Sequence, residues 1–302
     1  MPTGHRFLAT DLHQFVVSLF THLGSTPGEA TLVADHLIAA NLAGHDSHGV
    51  GMIPSYVKSH AGGFLQLNRH ATVTKDAGAV VTLDGNAGFG QVVAPFRGKD
   101  SRFGTNPLCV VFPRAGHPPL LLDYATSAIA FGKTRVAWHK GEAVAPGCLI
   151  DAEGRPTTDP AVMQTSPLGA LLTFAQHKGY ALATLCEVLG GALSGGQTTH
   201  QESLQTSVDA IFNCMTTVIL RPDAFDAPDS QAQTEAFIAW CKQSPHDADA
   251  PVLAPGEWEA ANREARLAQG IPLDAGSWQA ICAAARDVGL SESHFDRCRP
   301  LA

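Results

Sequence analysis

The chain has 302 residues, of which 45% are hydrophobic and 16% are charged, so it can build one large domain or two smaller ones and is not expected to hold long disordered regions. Its formal net charge of −8 makes nucleic acid an unfavourable partner. No secretory leader or bilayer-length apolar run is visible, and the seven scattered cysteines form no CxxC pair. We therefore expect a soluble cytoplasmic protein with no membrane contact.

The first part of the chain predicts two helices. Apolar residues between Leu12 and Leu23 recur at i, i+3 and i+4 spacing, and a second stripe runs from Val33 to Leu42. Thr26, followed by a proline, is typical of a helix start, and Gly44 is typical of an end. The sequence HDSHG, residues 45–49, is therefore expected on a loop just after a helix, where functional side chains are often displayed.

From about residue 70 the pattern changes to strands. Four are predicted in ATVTKDAGAVVTLDGN and LCVVFPRAGHPPLLLDYATS, a strand and a turn in GCLIDAEGRPTTDP, and a helix after a loop in HKGYALATLCEVLGGALSGG. DAIFNCMTTVIL reads as a long apolar strand, and three helices follow it. This layout predicts an α/β protein with a mixed sheet and with helical terminal segments that pack together. The expected domains are residues 1–69 plus about 257–302, and residues 70–256.

The HDSH tetrapeptide has three interpretations. It is a solvated polar turn, or His48 donates a proton, because imidazole titrates near neutral pH. In the third, His45, Asp46 and His48 bind a metal for hydrolysis, but the sequence offers no second cluster with clear ligand spacing.

Glycine spacing argues against a conventional nucleotide fingerprint. GNAGFGQ is not GxGxxG, and no Walker A loop is present, so any nucleotide binds on another scaffold. His177-Lys178-Gly179 is either a surface turn or a helix start whose free amides and dipole favour a phosphate or pyrophosphate. PGEWE, ending at Glu259, reads as a helix start with acidic residues in its first turn.

Long motifs over nearly the whole chain resemble the type 2 malate/L-lactate dehydrogenase family. They are AANLAGHDSHGVGMIPSYV, RFGTNPLCVVFPR, LLLDYATSAIAFGKTRVAWHKG, PGCLIDAEGRPTTDPAVM, HKGYALATLCEVLGGALSGG and PGEWE. The resemblance implies a homodimeric NAD(P)-dependent enzyme on a non-Rossmann, sulfolactate-dehydrogenase-like fold. It implies hydride transfer between nicotinamide and C2 of a small 2-oxo or 2-hydroxy acid, with NAD or NADP left open.

The resemblance also assigns roles to particular positions. His48 matches a histidine that meets substrate and nicotinamide, and Lys133 is carried over as the second catalytic residue. The cofactor contacts carried over, besides His48, are Leu121, Leu122, Asp123, Tyr124, Ala125, His177, Lys178, Asn213, Gly256, Glu257, Trp258 and Glu259. Ser47, Met52 and Asn106 are carried over as substrate-side positions, and no metal ligand is implied.

Two departures from the family pattern bear on function. Met52 stands where many members have an arginine for the substrate carboxylate, which removes a bidentate clamp and favours bulkier apolar substrates such as phenylpyruvate. In addition, the family has several tens of residues, including a second histidine, where this chain passes directly from Ala94 to Pro95. Such a loss removes core strands and exposes apolar surface.

The sequence therefore predicts an NAD(P)-dependent 2-hydroxycarboxylate dehydrogenase, chiefly a reductase of phenylpyruvate-type 2-oxo acids. Two alternatives stay open. One is a catalytically impaired remnant of the same family that keeps nucleotide affinity without turnover. The other is a metal hydrolase that uses His45, Asp46 and His48.

Overall fold

The computed structural model describes residues 5–69, 72–76, 81–84, 92–200, 214–221 and 225–301. The N-terminal part consists of β1 (His5–Phe7), α1 (Ala9–Leu23), α2 (Pro27–Leu42), two 3-10 turns (Asp46–His48 and Val50–Met52) and α3 (Ile53–Ala61). The predicted cap of α2 is present, since Thr26 Oγ1 accepts the Glu29 amide at 3.4 Å. HDSHG follows this helix as expected, folded into a tight turn.

The middle of the chain alternates short strands and helices. Its elements are β2 (Thr72–Asp76), β3 (Val81–Asp84), β4 (Leu108–Phe112), β5 (Leu120–Tyr124), α4 (Phe131–Lys140), β6 (Leu149–Ile150), β7 (Pro156–Thr157), β8 (Ala170–Leu171) and α5 (His177–Glu187). A 3-10 turn covers Pro160–Met163, and a π-helical turn, Val188–Leu193, continues α5. The two predicted hairpins, β2–β3 and β4–β5, are both antiparallel.

The C-terminal part is helical, as the pattern predicts. Its elements are α6 (Ser230–Lys242), α7 (Glu257–Gln269), β9 (Ile271–Leu273), α8 (Ala275–Asp287) and α9 (Glu292–Arg297). Strand β9 pairs antiparallel with β1, and the Trp278 ring of α8 lies 4.4 Å from that of Phe7. No helix among the described residues has the length and apolarity that crossing a membrane requires.

Buried side chains form two main groups. The larger joins the chain ends: α1, α2 and α3 contribute Leu12, Leu19 and Ile53, and β9 and α8 contribute Ile271 and Ile281. The smaller group is built from the middle of the chain, with the fully buried Val93, Leu149 and Leu171 at its centre.

Two strand predictions are wrong within the described residues. Instead of one mixed sheet, the strands form separate antiparallel sheets, of which the largest has three strands in the order β7–β6–β8. The predicted strand DAIFNCMTTVIL lies partly outside the described residues, and its described part, 214–220, is irregular and exposed. An apolar segment becomes a strand only when a neighbour completes its backbone hydrogen bonds, and this segment pairs with no described strand.

Candidate active site

The turn that follows α2 displays His48 at the surface. Ser47, which is buried, places its Oγ 3.0 Å from Nδ1 of His48. This hydrogen bond orients the imidazole and leaves Nε2 as the nitrogen that is available to a ligand. A histidine held in this way can serve as a proton donor or acceptor.

An ion pair with a distant helix fixes this turn. Arg266 of α7 binds Asp46 through both guanidinium nitrogens, at 2.6 Å to Oδ1 and 3.0 Å to Oδ2. The fully buried Asn41 donates to Asp46 Oδ1 at 2.7 Å and accepts the Val50 amide at 2.8 Å. Asp46 therefore stabilises the turn, and the bidentate geometry strengthens its ion pair with Arg266.

Sequence reasoning missed Arg266 and Asn41. Asn41 is a polar residue in an otherwise apolar helical stretch, IAANLAG, which could have identified it as a buried hydrogen-bonding residue. Arg266 lies in a helix rich in charged residues and gives no comparable signal.

Two glycines allow neighbouring elements to approach the turn. A Cβ on Gly49 would lie 2.0 Å from Asn41 Oδ1, and one on Gly132 would lie 2.7 Å from the backbone oxygen of Ser47. Gly132 is the second residue of α4, so its missing side chain brings the start of that helix against the turn. Lys133, the next residue, is thereby placed close enough for its charge to act on His48.

Desolvation and charge together lower the pKa of His48. Its ring is exposed in the isolated chain, yet it lies in a recess crowded by protein atoms, and this partial burial is the first cause. The positive charges of His45 and Lys133 lower the pKa further, while the carboxylate of Asp123 opposes them. His48 is thus surrounded by three of the charged side chains that flank the turn.

Strand β5 carries the LLDYA segment beside this histidine. Asp123 pairs with Cys109 across the β4–β5 hairpin and acts electrostatically on His48. At the start of the strand, the Leu121 amide donates to the Pro255 carbonyl at 3.2 Å. A Cβ on Gly256, whose φ is +95°, would lie 3.2 Å from Leu121 Cβ. The two motifs LLDYA and PGEWE therefore meet at this point.

The PGEWE motif also contacts the HDSH turn. The rings of Trp258 and His45 lie 5.9 Å apart, and Glu259 Oε1 lies 3.5 Å from His45 Nε2. Glu257 has a different partner, because it accepts from Lys242 at 2.5 Å and from the Ala254 amide at 2.9 Å. The Lys242 ammonium is the main cause that lowers the pKa of Glu257. Trp258 keeps 47% of its surface exposed and offers a flat apolar face.

The start of α5 is where the sequence predicts it, but its amides are largely occupied. Lys178 and Gly179 donate their backbone N–H groups to carbonyls of the preceding turn, at 3.2 and 3.1 Å. The expectation of several free amides for a phosphate is therefore wrong, because the tight turn at Gln176 (φ 54°) satisfies them. The side chains of His177 and Lys178 remain exposed there, and the turn is joined to β5 through the Tyr124–Phe174 ring contact at 5.5 Å.

Other predicted site residues lie elsewhere or are not described. Asn106 is joined to α5, donating to the Ala183 carbonyl at 2.9 Å and to Glu187 at 2.8 Å. Met52 is half-buried and packs against the larger apolar core. Leu122 is exposed on β5 and Ala125, just after it, is half-buried, whereas Asn213 lies outside the described residues.

The sequence profile of the malate/L-lactate dehydrogenase family matches residues 7–96 and 91–282. The chain belongs to this family. Membership makes it one of the oxidoreductases that act on small 2-hydroxy and 2-oxo acids.

Individual relatives agree with the family assignment. The chain is 58% identical to hydroxycarboxylate dehydrogenase B of Escherichia coli K12 over 360 positions, covering 100% of both chains. A solved structure described as a malate/lactate dehydrogenase from E. coli superposes with a TM-score of 0.93 at 57% identity, covering 97% of this chain and 98% of that one. Sulfolactate dehydrogenase from Methanocaldococcus jannaschii shares the fold, with a TM-score of 0.73 at 21% identity, over 96% of this chain and 99% of that one.

The family matches also reveal a difference in length. The alignment to the E. coli enzyme spans 360 positions, and the chain supplies 302 residues, which leaves 58 positions without a residue from this chain. The two family matches meet at residues 91–96. This is where the sequence analysis locates the junction between Ala94 and Pro95.

The metal-hydrolase alternative finds little support in the geometry. Both carboxylate oxygens of Asp46 are bound by Arg266, and Oδ1 also accepts from Asn41. Over the residues that the structure describes, no three His, Cys, Asp or Glu side chains converge as metal ligands would.

Proposed function

We propose that the chain is an NAD(P)-dependent oxidoreductase that interconverts 2-oxo acids and 2-hydroxy acids in the cytoplasm. The observation that carries the proposal is the position of His48. It is exposed on a turn that the Asp46–Arg266 pair fixes, and it lies within electrostatic reach of Lys133 and Asp123. A titratable group with a shifted pKa at such a position is a common mark of an active site.

The proposed cofactor site runs from this turn along β5 to α5. The exposed face of Trp258 suits an aromatic or ribose group, and the Lys178 ammonium with the neighbouring imidazole N–H of His177 suits the negative charge of a pyrophosphate. These residue types fit a pyridine dinucleotide held without a Rossmann fingerprint. The small antiparallel sheets of the described residues support a non-Rossmann scaffold.

In this mechanism the bound nicotinamide supplies or accepts the hydride. The protein's own residues transfer the proton and stabilise the negative charge that develops on the substrate oxygen. In reduction, protonated His48 donates its Nε2 proton to the developing alkoxide, while its Nδ1–H is held by Ser47 Oγ. The Lys133 ammonium adds positive charge next to the same oxygen. In oxidation, neutral His48 takes the hydroxyl proton back.

We also propose that the preferred substrates are 2-oxo acids with a bulky apolar side chain, such as phenylpyruvate. The chain has Met52 where many family members hold the substrate carboxylate with arginine. Met52 is half-buried against the larger apolar core, so this position supplies no positive charge for a substrate carboxylate. A higher kcat/KM for phenylpyruvate than for oxaloacetate would support this preference, and the reverse order would contradict it.

Loss of His48 tests the proposed function directly. In His48→Gln, reduction of phenylpyruvate with NADH or NADPH should fall by about 10²–10⁴-fold, the range that general acid–base catalysis contributes. NAD(P)H binding, followed by nucleotide fluorescence, should persist, because glutamine removes the titratable group and not the turn. His246→Gln is the matched control, since His246 is exposed and bonds only a carbonyl of its own loop. Equal turnover in both variants would rule out the assigned role.

A second candidate is a catalytically impaired protein that binds the cofactor without turnover. The observations that favour it are the deficit of 58 aligned positions and the break between the two family matches at residues 91–96. The family segment expected there carries a second histidine. Wild-type protein that binds NADH or NADPH but oxidises neither with any 2-oxo acid would support this candidate over the first.

We propose a two-domain organisation for the same protein, with residues 1–69 and about 257–302 in one domain and 70–256 in the other. The two groups of buried side chains support this division, because each is drawn from one of these parts of the chain. The protein is proposed to act as a homodimer, which light scattering after size-exclusion chromatography would test.

A further inference from the structure

A cavity of about 250 Å³ lies behind the HDSHG turn, between helices α3, α4 and α8. Its walls include three basic side chains, Lys58, Arg135 and His139, and an apolar surface formed by Pro54 and Ala280. The chain as a whole carries a net charge of −8, so this concentration of basic residues is a local feature. The resemblance assigns a catalytic, cofactor or substrate role to none of these five residues.

Arg135 is the unusual member of this group. It is half-buried, and it makes no hydrogen bond or ion pair with the described residues. Burial lowers the pKa of Arg135, whereas the negative charge of Asp274 raises it. That carboxylate already caps α8 by accepting the Ser277 amide at 2.8 Å. A partly desolvated guanidinium without a hydrogen-bond partner raises the free energy of the folded protein. An anion bound in the cavity would offset this desolvation penalty.

The surrounding elements hold the cationic side chains in place. His139 lies one turn after Arg135 on α4, so both face the same side of that helix. The His139 ring packs against the first turn of α8, where a Cβ on Gly276 would lie 3.1 Å from Nδ1. The positive end of the α8 dipole adds to the field in the cavity.

The cavity is distinct from the proposed substrate site. Lys133, whose charge acts on His48, lies two residues from Arg135, and residues two apart on a helix point to opposite faces. Gly51, three residues after His48, forms the wall between them, and a Cβ there would lie 3.2 Å from an Arg135 nitrogen. A ligand in the cavity would therefore contact the back of the turn that carries His48.

We propose that this cavity binds a small organic carboxylate, with the carboxylate on Arg135 and the carbon chain against Pro54 and Ala280. The apolar part of the lining and the volume favour a short carbon skeleton over a bare inorganic oxyanion. The planar guanidinium of Arg135 can donate two parallel hydrogen bonds to the two oxygens of a carboxylate. The cavity lining contains none of the residues proposed to hold the nucleotide, so the site can be tested without cofactor or turnover.

Titration calorimetry of the full chain with butyrate, in the absence of nucleotide, tests the proposal. Saturable binding is expected, and Arg135→Gln should weaken it at least tenfold. Lys140→Gln is the matched control, because it removes the same charge from the same helix outside the cavity and should bind as wild type does. Ala280→Leu keeps the charges and fills the space, and it should also weaken binding.

Inorganic phosphate is the comparison ligand. Weaker binding of phosphate than of butyrate supports the proposed carboxylate site, and tighter binding of phosphate overturns it. Equal affinity of butyrate for Arg135→Gln and Lys140→Gln, with both variants folded by circular dichroism, overturns the role of Arg135. A wild-type chain that shows no saturable heat with butyrate overturns the proposal as a whole.

Discussion

The chemistry proposed for His48 depends on charges that lie on three separate stretches of the chain. His45 is on the same turn, Lys133 is on α4 and Asp123 is on β5. The first two add positive charge, which disfavours the imidazolium, and the third favours it. Burial of the imidazole is the largest cause that lowers the pKa of His48, and these charges adjust it further, so the proton donor is present chiefly at acidic pH and the neutral base at neutral pH.

Removing the charge of His45 and removing the charge of Asp123 should shift the pH dependence of reduction in opposite directions. Reduction needs protonated His48, so kcat/KM should be highest at low pH and fall as the pH rises through the lowered pKa of the free protein. His45→Gln removes a positive charge and should shift this fall to higher pH, whereas Asp123→Asn should shift it to lower pH.

The measurement is a kcat/KM profile for phenylpyruvate in each variant, with His246→Gln as the control that should not move it. A purely structural effect of either substitution lowers the rate at every pH without moving the profile. Shifts of the same sign in His45→Gln and Asp123→Asn would contradict the assignment of His48 as the group that titrates.

At the level of the elements, local signals predicted most of the helices and the contacts that cap them. The Thr26 cap, the strands of the β4–β5 hairpin and the PGEWE helix start are local features, and the structure confirms them. The pairing of Asp46 with Arg266 joins positions 220 residues apart, so no local pattern could predict it. The association of PGEWE with the HDSH turn came from family resemblance alone, because neither motif encodes its partner.

The contact between α4 and the HDSH turn can be tested with two glycines at equivalent helix positions. Gly132 is the second residue of α4, and a Cβ there would collide with Ser47 at 2.7 Å. Gly132→Ala should therefore destabilise the chain by about 1–3 kcal/mol, the usual effect of overpacking, and should reduce turnover by displacing Ser47 and His48.

Gly28 provides the matched control. It is the second residue of α2, and a Cβ there meets no atom within 4 Å. Gly28→Ala should stabilise by about 0.4–1 kcal/mol, because alanine restricts the unfolded chain and favours the helix. Urea unfolding measures both variants. A Gly132→Ala protein as stable and active as Gly28→Ala would show that the close approach of α4 to the turn is not required.

For the whole molecule, the most informative feature is the exposed apolar surface to which side chains of β4 and of the segment 214–221 contribute. Within the described part of the chain, β4 and β5 pair with no third strand, and Val110 and Val111 of β4 are more than half exposed. The segment 214–221, with Ile219 91% exposed, lies against the π-helical turn after α5, where Thr216 Oγ1 donates to the Leu189 carbonyl at 2.5 Å. An isolated hairpin with apolar exposed faces is marginally stable and tends to associate.

Contacts connect this surface to the junction. The ring of Phe96, two residues after the junction, lies 6.0 Å from that of His177 at the start of α5, and Asn106, just before β4, bonds to the far end of the same helix. We expect that the 58 aligned positions without a residue in this chain form, in the E. coli relative, the layer that covers this surface. The absence of such a layer would also leave the predicted strand at 214–220 without a partner among the described residues.

Restoring the absent layer tests this explanation. The segment of the E. coli enzyme that aligns with the deficit is inserted between Ala94 and Pro95, and binding of the apolar dye ANS and the association state at rising concentration are measured. Both should decrease relative to the unmodified chain, because apolar surface becomes covered and the hairpin gains neighbours. The same segment inserted at Gly116, an open hairpin turn, is the control and should leave dye binding unchanged or raise it. If the two insertions give equal dye binding, the exposed surface has another origin and the proposal of an absent covering layer fails.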